Sequence, residues 1–151
     1  MTLPAIPEDT LLPLVSNPSH KGCVVCGCEN DHGMRVEFRS QSDGSVVAEF
    51  PCDAAYQGYQ DVLHGGVVAT LLDGAMTNCL FAHHIVAVTA ELTIRYLHPV
   101  RIGDPVSIKA WIVRSSPHLH LLAAELAQEG RVHARAKAKF RNVMSATSQQ
   151  V

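Results

Sequence analysis

Between Gly65 and Ala90 the chain carries one formal charge, Asp73, set among small and apolar residues. A carboxylate in such surroundings costs several kcal/mol unless it is hydrogen-bonded or paired. One reading is structural: an acceptor for a hydroxyl such as Thr70 or Thr77, or a contact with a neighbouring subunit. The other is chemical. The segment opens Val62-Leu63-His64-Gly65-Gly66, and two glycines at a helix start let another group approach backbone N–H groups that have no intrahelical partner. Those N–H groups and the positive end of the helix dipole can stabilise an anion, including the oxyanion of acyl transfer. A carboxylate can supply the other half of such a reaction, as nucleophile or as base for water. Asp73 lies two turns along, about 10 to 12 Å from the helix start at 1.5 Å per residue. That is too far for one chain to place both groups on one carbonyl. A two-fold dimer removes the difficulty, because Asp73 of one chain can face Gly65 of the other.

The elements that must position these groups follow from periodicity. In Gly66–Ala82, Val68, Leu71, Leu72, Ala75, Met76 and Cys79 recur at helical spacing, and the remaining face is small and uncharged. A helix with no charged side has to be wrapped by other structure. Period-two runs flank it. Met34–Ser40 and Ser45–Phe50 read as a hairpin about Gly44. Val88, Ala90, Leu92, Ile94 and Tyr96 alternate along a long strand, and Val106–Arg114 follows the turn at Gly103-Asp104-Pro105. His118–Gln128 is apolar on both faces, as a central or interface strand would be. Arg131–Arg141 alternates between apolar residues and residues that are all basic or histidine. Two strands, one helix and four strands predict an α+β hotdog fold, a curved antiparallel β-sheet wrapped around one long central helix. The expected organisation is an N-terminal arm at 1–20, rich in proline, a single domain at 21–143 and a flexible tail at 144–151.

Composition narrows the partners. A net charge of -2 supplies no positive field to attract a nucleic acid. No apolar run is expected to approach a membrane span, and no basic start followed by an apolar segment opens the chain. Five cysteines, an odd number, argue against a fully paired secreted framework and for a reducing cytoplasm.

Other groups offer chemistry more weakly. Cys23, Cys26 and Cys28, with His32 beyond them, are zinc-ligand types, but no second pair follows at longer spacing, so the expectation is no metal and reduced structural thiols. His83, His84, His118 and His120 read as surface or interface residues. The basic face of the last strand, Arg135 and Lys137 included, reads as a solvated sheet face or as a seat for phosphates. The serines lack the strand-turn-helix elbow of a serine hydrolase.

The run His64-Gly65-Gly66-Val67-Val68-Ala69-Thr70-Leu71-Leu72-Asp73 resembles the signature of the phenylacetyl-CoA thioesterase-like (PaaI-type) hotdog family. The later Thr89-x-Glu91-Leu92-x-Ile94-x-Tyr96-x-x-Pro99 pattern and the cysteine-rich stretch Cys23–Met34 resemble it too, so the likeness covers roughly 20–142. The resemblance implies an acyl-CoA thioesterase, dimeric or tetrameric, with sites at the dimer interface. It implies Asp73 as nucleophile or general base, Gly65 as the oxyanion N–H, His64 as the residue shaping that corner and Thr89 as a holder of water. Many catalytic members carry Asn six residues before the His, where this chain has Gly58. Gln57 or Gln60 would substitute there, with Gly66 also lining the substrate and Arg135 and Lys137 on the phosphates. No cofactor is implied beyond the coenzyme A of the substrate. Two rivals remain: a non-catalytic acyl-CoA binding or regulatory protein, and a hotdog hydratase, for which no Asp/His pair is evident.

Overall fold

The computed structural model describes residues 14–143. The expected arm is therefore described only from Leu14, and the expected tail lies outside the described residues. From Leu14 the arm follows the body of the molecule: Leu14 bridges to Arg39, Val15 packs on the core, and a single 3-10 turn spans Pro18–His20.

The elements are β1 (Arg39–Ser40), β2 (Val46–Phe50), α1 (Gly65–Ala82), β3 (Ala87–Tyr96), β4 (Val106–Ser115), β5 (Leu119–Gln128) and β6 (Arg131–Asn142). They form one antiparallel six-stranded sheet in the order β1-β2-β4-β5-β6-β3, curved against the helix in the expected hotdog arrangement. β6 shows why the pattern folds this way. Ala134, Ala136, Ala138 and Phe140 are buried beneath α1, while Arg135, Lys137, Lys139 and Arg141 stay in water. Three alanines in a row on that face let the helix settle close to the sheet. Leu71, Leu72, Met76 and Leu80 of the helix are fully buried, with Ile108, Leu122 and Leu126 from the sheet, and each side chain of this size contributes about 1.5–3 kcal/mol on burial.

Four expectations need correction. Met34–Phe38 is extended and its alternation holds, with Val36 and Phe38 buried, but the ladder begins only at Arg39. Arg35 takes φ 52, and Met34 and Val36 donate to the carbonyls of Val24 and Val25 rather than to a strand. The helix is covered by the sheet on one side only: Gly66 is exposed and Ala69, Thr70, Asp73 and Thr77 are half-buried, a stripe at helical spacing left open along one flank. At 18 residues α1 is also long and apolar enough to cross a membrane by length and composition alone, contrary to the sequence expectation. Its packing against the sheet accounts for that apolarity.

The fourth correction concerns β3. Thr89 pairs with Phe140 and Glu91 with Lys139, so Ala90 is an extra residue, a β-bulge. Upstream of it Ala87 and Thr89 face the helix. Downstream Leu92, Ile94 and Tyr96 do, opposite the buried Ala138, Ala136 and Ala134. The simple alternation from Val88 to Tyr96 puts Thr89 on the wrong face.

Candidate active site

The helix begins against its own cap. His64 is the N-cap residue, and its Nδ1 accepts from the Gly66 N–H at 2.8 Å, which places the neutral ring's proton on Nε2. Val67 and Val68 donate to the His64 carbonyl at 2.9 and 3.1 Å. Gly66 N–H is thus engaged, and among the described residues the exposed Gly65 N–H has no partner. The Tyr96 hydroxyl donates to the Gly65 carbonyl at 2.7 Å, tying the end of β3 to the first helical residue.

A cavity of about 710 Å³ opens beside this corner. Val62, Leu63, Val68 and Val100 give it apolar walls, with His64 and Gly65 at one side. Tyr59, Tyr96 and His98 also line it, residues for which the sequence reading assigned no role. Tyr96 carried a signal, since it closes the Thr89–Pro99 pattern. His98 stands edge-on to His133 with ring centroids 5.6 Å apart, and its pKa is lowered by desolvation and then by the nearby Arg131 and His133. Gly58 sits in the wall as well. A Cβ there would lie 3.2 Å from His64 Cα and 3.2 Å from Cδ2, so any side chain at 58 presses on the cap.

Asp73 occupies the open flank two turns along. Its Oδ1 accepts from Thr89 Oγ1 at 2.7 Å, the bond that the bulge at Ala90 makes possible. Thr70 and Thr77, the two hydroxyls the sequence suggested for that carboxylate, are engaged elsewhere: Thr70 donates to the Gly66 carbonyl at 2.8 Å and Thr77 to the Asp73 carbonyl at 3.0 Å. Among the described residues no cation pairs with the Asp73 carboxylate.

The chain therefore places two candidate groups along one helix, His64 with Gly65 at its start and Asp73 with Thr89 further on. Other expected residues stand apart. Gln57 and Gln60 are exposed and outside the cavity wall, and Gln57 Oε1 faces the Asp61 N–H at 3.4 Å. Arg135 and Lys137 lie on the sheet face away from the helix, beside a second cavity of about 510 Å³, with Arg135 Nε paired to Glu125 at 3.1 Å. His120, expected at the surface or an interface, is buried within the chain, with Nδ1 on the Ser115 hydroxyl and Nε2 on Asn142.

The profile of the thioesterase superfamily matches residues 60–134, the span that holds His64, Gly65, Asp73 and Thr89. Residues 60–134 belong to the thioesterase superfamily. Human acyl-coenzyme A thioesterase 13 is 26% identical over 94 residues, 61% of this chain and 67% of that protein. A thioesterase superfamily protein of known crystal structure is 27% identical, with a TM-score of 0.72, over 76% of this chain. This chain spans 60% of that protein's length. The fold is also that of PaaI from the E. coli phenylacetic acid degradation operon (21% identity, TM-score 0.70, 78% of this chain and 88% of that one). A Streptococcus pneumoniae thioesterase protein solved with coenzyme A shares it too (22%, 0.67, 72% and 88%).

Proposed function

We propose that this protein hydrolyses an acyl-CoA type thioester to the free acid and coenzyme A, at a site completed by a second copy of the chain. The observation that carries the reading is the Thr89–Asp73 hydrogen bond on an open helix flank, two turns from the unengaged Gly65 N–H beside an apolar cavity. The acyl carbonyl oxygen accepts from Gly65 N–H, and the positive end of the helix favours the charge that grows there. Asp73 of the second copy either attacks the carbon or takes a proton from an attacking water. On either route one water is consumed, the C–S bond breaks and the pantetheine thiol leaves. Thr89 holds the carboxylate in one orientation. No metal or redox cofactor takes part in these steps.

The need for a second copy is geometric. One helix cannot bring residues 65 and 73 onto one carbonyl, about 12 Å apart at 1.5 Å per residue. The flank bearing Asp73 is open, and β3 leaves its outer edge unpaired with Val88 and Tyr96 more than half exposed. An unpaired edge of ten residues is a surface that natural sheets cover. A homodimer, or a pair of dimers, covers it. The coenzyme A in the pneumococcal structure and the name of the human relative support the substrate class. That pneumococcal protein has also been crystallised with an aspartate, and separately a threonine sixteen positions later, changed to alanine. Asp73 and Thr89 are separated by the same interval. We place the activity in the cytoplasm, where the five free cysteines fit a reducing compartment.

Asp73→Asn tests the assignment, because it keeps the volume and a hydrogen bond but can neither attack nor accept a proton. Turnover of a panel of acyl-CoAs, followed with a thiol reagent, is expected to fall by about 10² to 10⁴. That is roughly 3 to 5 kcal/mol of transition-state stabilisation, with folding and substrate binding retained. Mixing Asp73→Asn chains with Gly65→Pro chains should restore part of the activity, since one site in each heterodimer is then intact. An Asp73→Asn protein as fast as wild type would instead leave a non-catalytic acyl-CoA binding role.

A further inference from the structure

The cysteine cluster takes a form that its spacing does not show. Cys28 and His32 are exposed, and it is His20, from the 3-10 turn, that meets Cys23 and Cys26. One ligand atom from each of these three lies within 4.8 Å of the other two. His20 Nδ1 and Cys26 Sγ are 3.7 Å apart. A tetrahedral zinc ion, with Zn–S near 2.3 Å and Zn–N near 2.0–2.1 Å, would hold such a pair at about 3.6 Å.

The backbone is already folded for the purpose. Cys23 N–H donates to the His20 carbonyl at 3.0 Å and Gly27 N–H to the Cys23 carbonyl at 2.9 Å, closing two tight turns around the cluster. A Cβ at Gly27 would run into the Lys21 carbonyl and the Cys23 backbone, so the second turn needs glycine. Val25 N–H points at Cys23 Sγ, 3.4 Å away, the kind of outer bond that steadies a metal-bound thiolate. Asn17 Oδ1 caps the turn that carries His20 by accepting from the Ser19 N–H at 2.9 Å, and Phe81 holds the imidazole edge-on at 4.7 Å. A cavity of about 370 Å³, lined in part by His20, Cys26 and Cys28, leaves room for a fourth ligand.

We propose that His20, Cys23 and Cys26 bind one divalent ion of the zinc class, with a fourth position open to that cavity for solvent or the Cys28 thiol. This departs from the metal-free expectation, which grouped the wrong histidine with the thiols. Two thiols give up their protons to solvent on binding, and nothing is oxidised or reduced. The ion is a clip and not a party to hydrolysis. It closes the loop at 20–27 on itself, and that loop packs on α1, where Val25 rests on Gly74, the residue after Asp73, and His20 rests on Phe81.

Cobalt(II) titration of the metal-stripped, reduced full-length protein tests this. Thiolate-to-cobalt absorption should grow to saturation at one equivalent per chain and vanish on adding zinc. Cys26→Ser and His20→Ala should weaken binding at least tenfold, while Cys28→Ser and Asp73→Asn retain one ion. Zinc should raise the melting temperature of wild type and leave that of Cys26→Ser unchanged. Reduced wild type that develops no thiolate-to-cobalt absorption overturns the proposal without reference to any variant. So does a Cys26→Ser protein that binds cobalt as tightly as wild type. Retention by Asp73→Asn keeps this result separate from the fate of the hydrolase assignment.

Discussion

Thr89 Oγ1 donates to Asp73 Oδ1 at 2.7 Å, from the edge strand to the central helix and across sixteen residues of sequence. A hydroxyl has one proton to give, so this bond fixes which oxygen of the carboxylate is occupied. Oδ2 is left with no protein partner among the described residues. An aspartate held at one oxygen and free at the other suits attack on a carbon or capture of a proton from water.

Thr89→Val keeps the strand shape and removes the donor. A hydrogen bond to a charged group is worth about 1.5–3 kcal/mol, so kcat should fall by roughly 10- to 100-fold. Thr89→Ser should keep most of the rate. Steady-state kinetics beside thermal melts make the check, and a Val variant with wild-type kcat would remove Thr89 from the site.

The fold was largely legible because its signals are periodic. Helical spacing from Val68 to Cys79 and alternation in β4 and β6 are properties of neighbouring residues, and a sequence displays them. The site was legible in part. The charge at Asp73 among apolar neighbours and the glycines after His64 stand out along the chain, whereas Thr89 entered only through the family resemblance. Alternation alone turns Thr89 away from the helix, because one extra residue at Ala90 leaves no mark in a pattern of polar and apolar letters. The contact of His20 with Cys23 and Cys26, and that of Tyr96 with Gly65, depend on how distant segments pack. Spacing along the chain does not encode them.

Gly74 offers a test of packing. A Cβ there would lie 2.7 Å from Val25 Cγ1, so Gly74→Ala should destabilise by about 1–3 kcal/mol through overpacking. Helix propensity works the other way by about 1 kcal/mol. In a Val25→Ala background the nearest contact becomes the Cβ at 3.3 Å, so most of the clash is relieved and the same change should cost much less or become neutral in urea unfolding. Equal effects in the two backgrounds would show that the loop does not press on the helix there.

Among the described residues, acid stability has one identifiable contributor. The Asp43 carboxyl is held below its ordinary pKa first by the Ser45 hydroxyl and N–H, and then by Lys109. The unfolded chain therefore binds this proton more readily. The stabilisation is fully present above the unfolded value near 3.9 and is lost as pH falls through the lower folded value. Asp43→Asn should be less stable than wild type by a constant amount at neutral pH, and the gap should close in acid. A gap that persists to the lowest pH would mean that Asp43 acts by shape and not by charge.

Tyr96→Phe removes the one bond between β3 and the first residue of the helix. A net loss of about 1 kcal/mol in stability is expected, together with a few-fold lower kcat/KM as the first turn of the helix, which carries the Gly65 N–H, is held less firmly. Unchanged kcat/KM would make the tyrosine a wall of the cavity and nothing more.

The two borders of the sheet are unequal. At one end β1 is two residues long and Leu14 already bridges to it, while at the other β3 offers ten residues. Two copies that join through β3 use up the only long sheet border among the described residues of each. What remains outside is a pair of short, partly occupied ends that cannot template a further copy. In the proposed dimer, assembly along the sheet would therefore be self-terminating: it would close at two, and this edge, for all its length, would not seed a fibre.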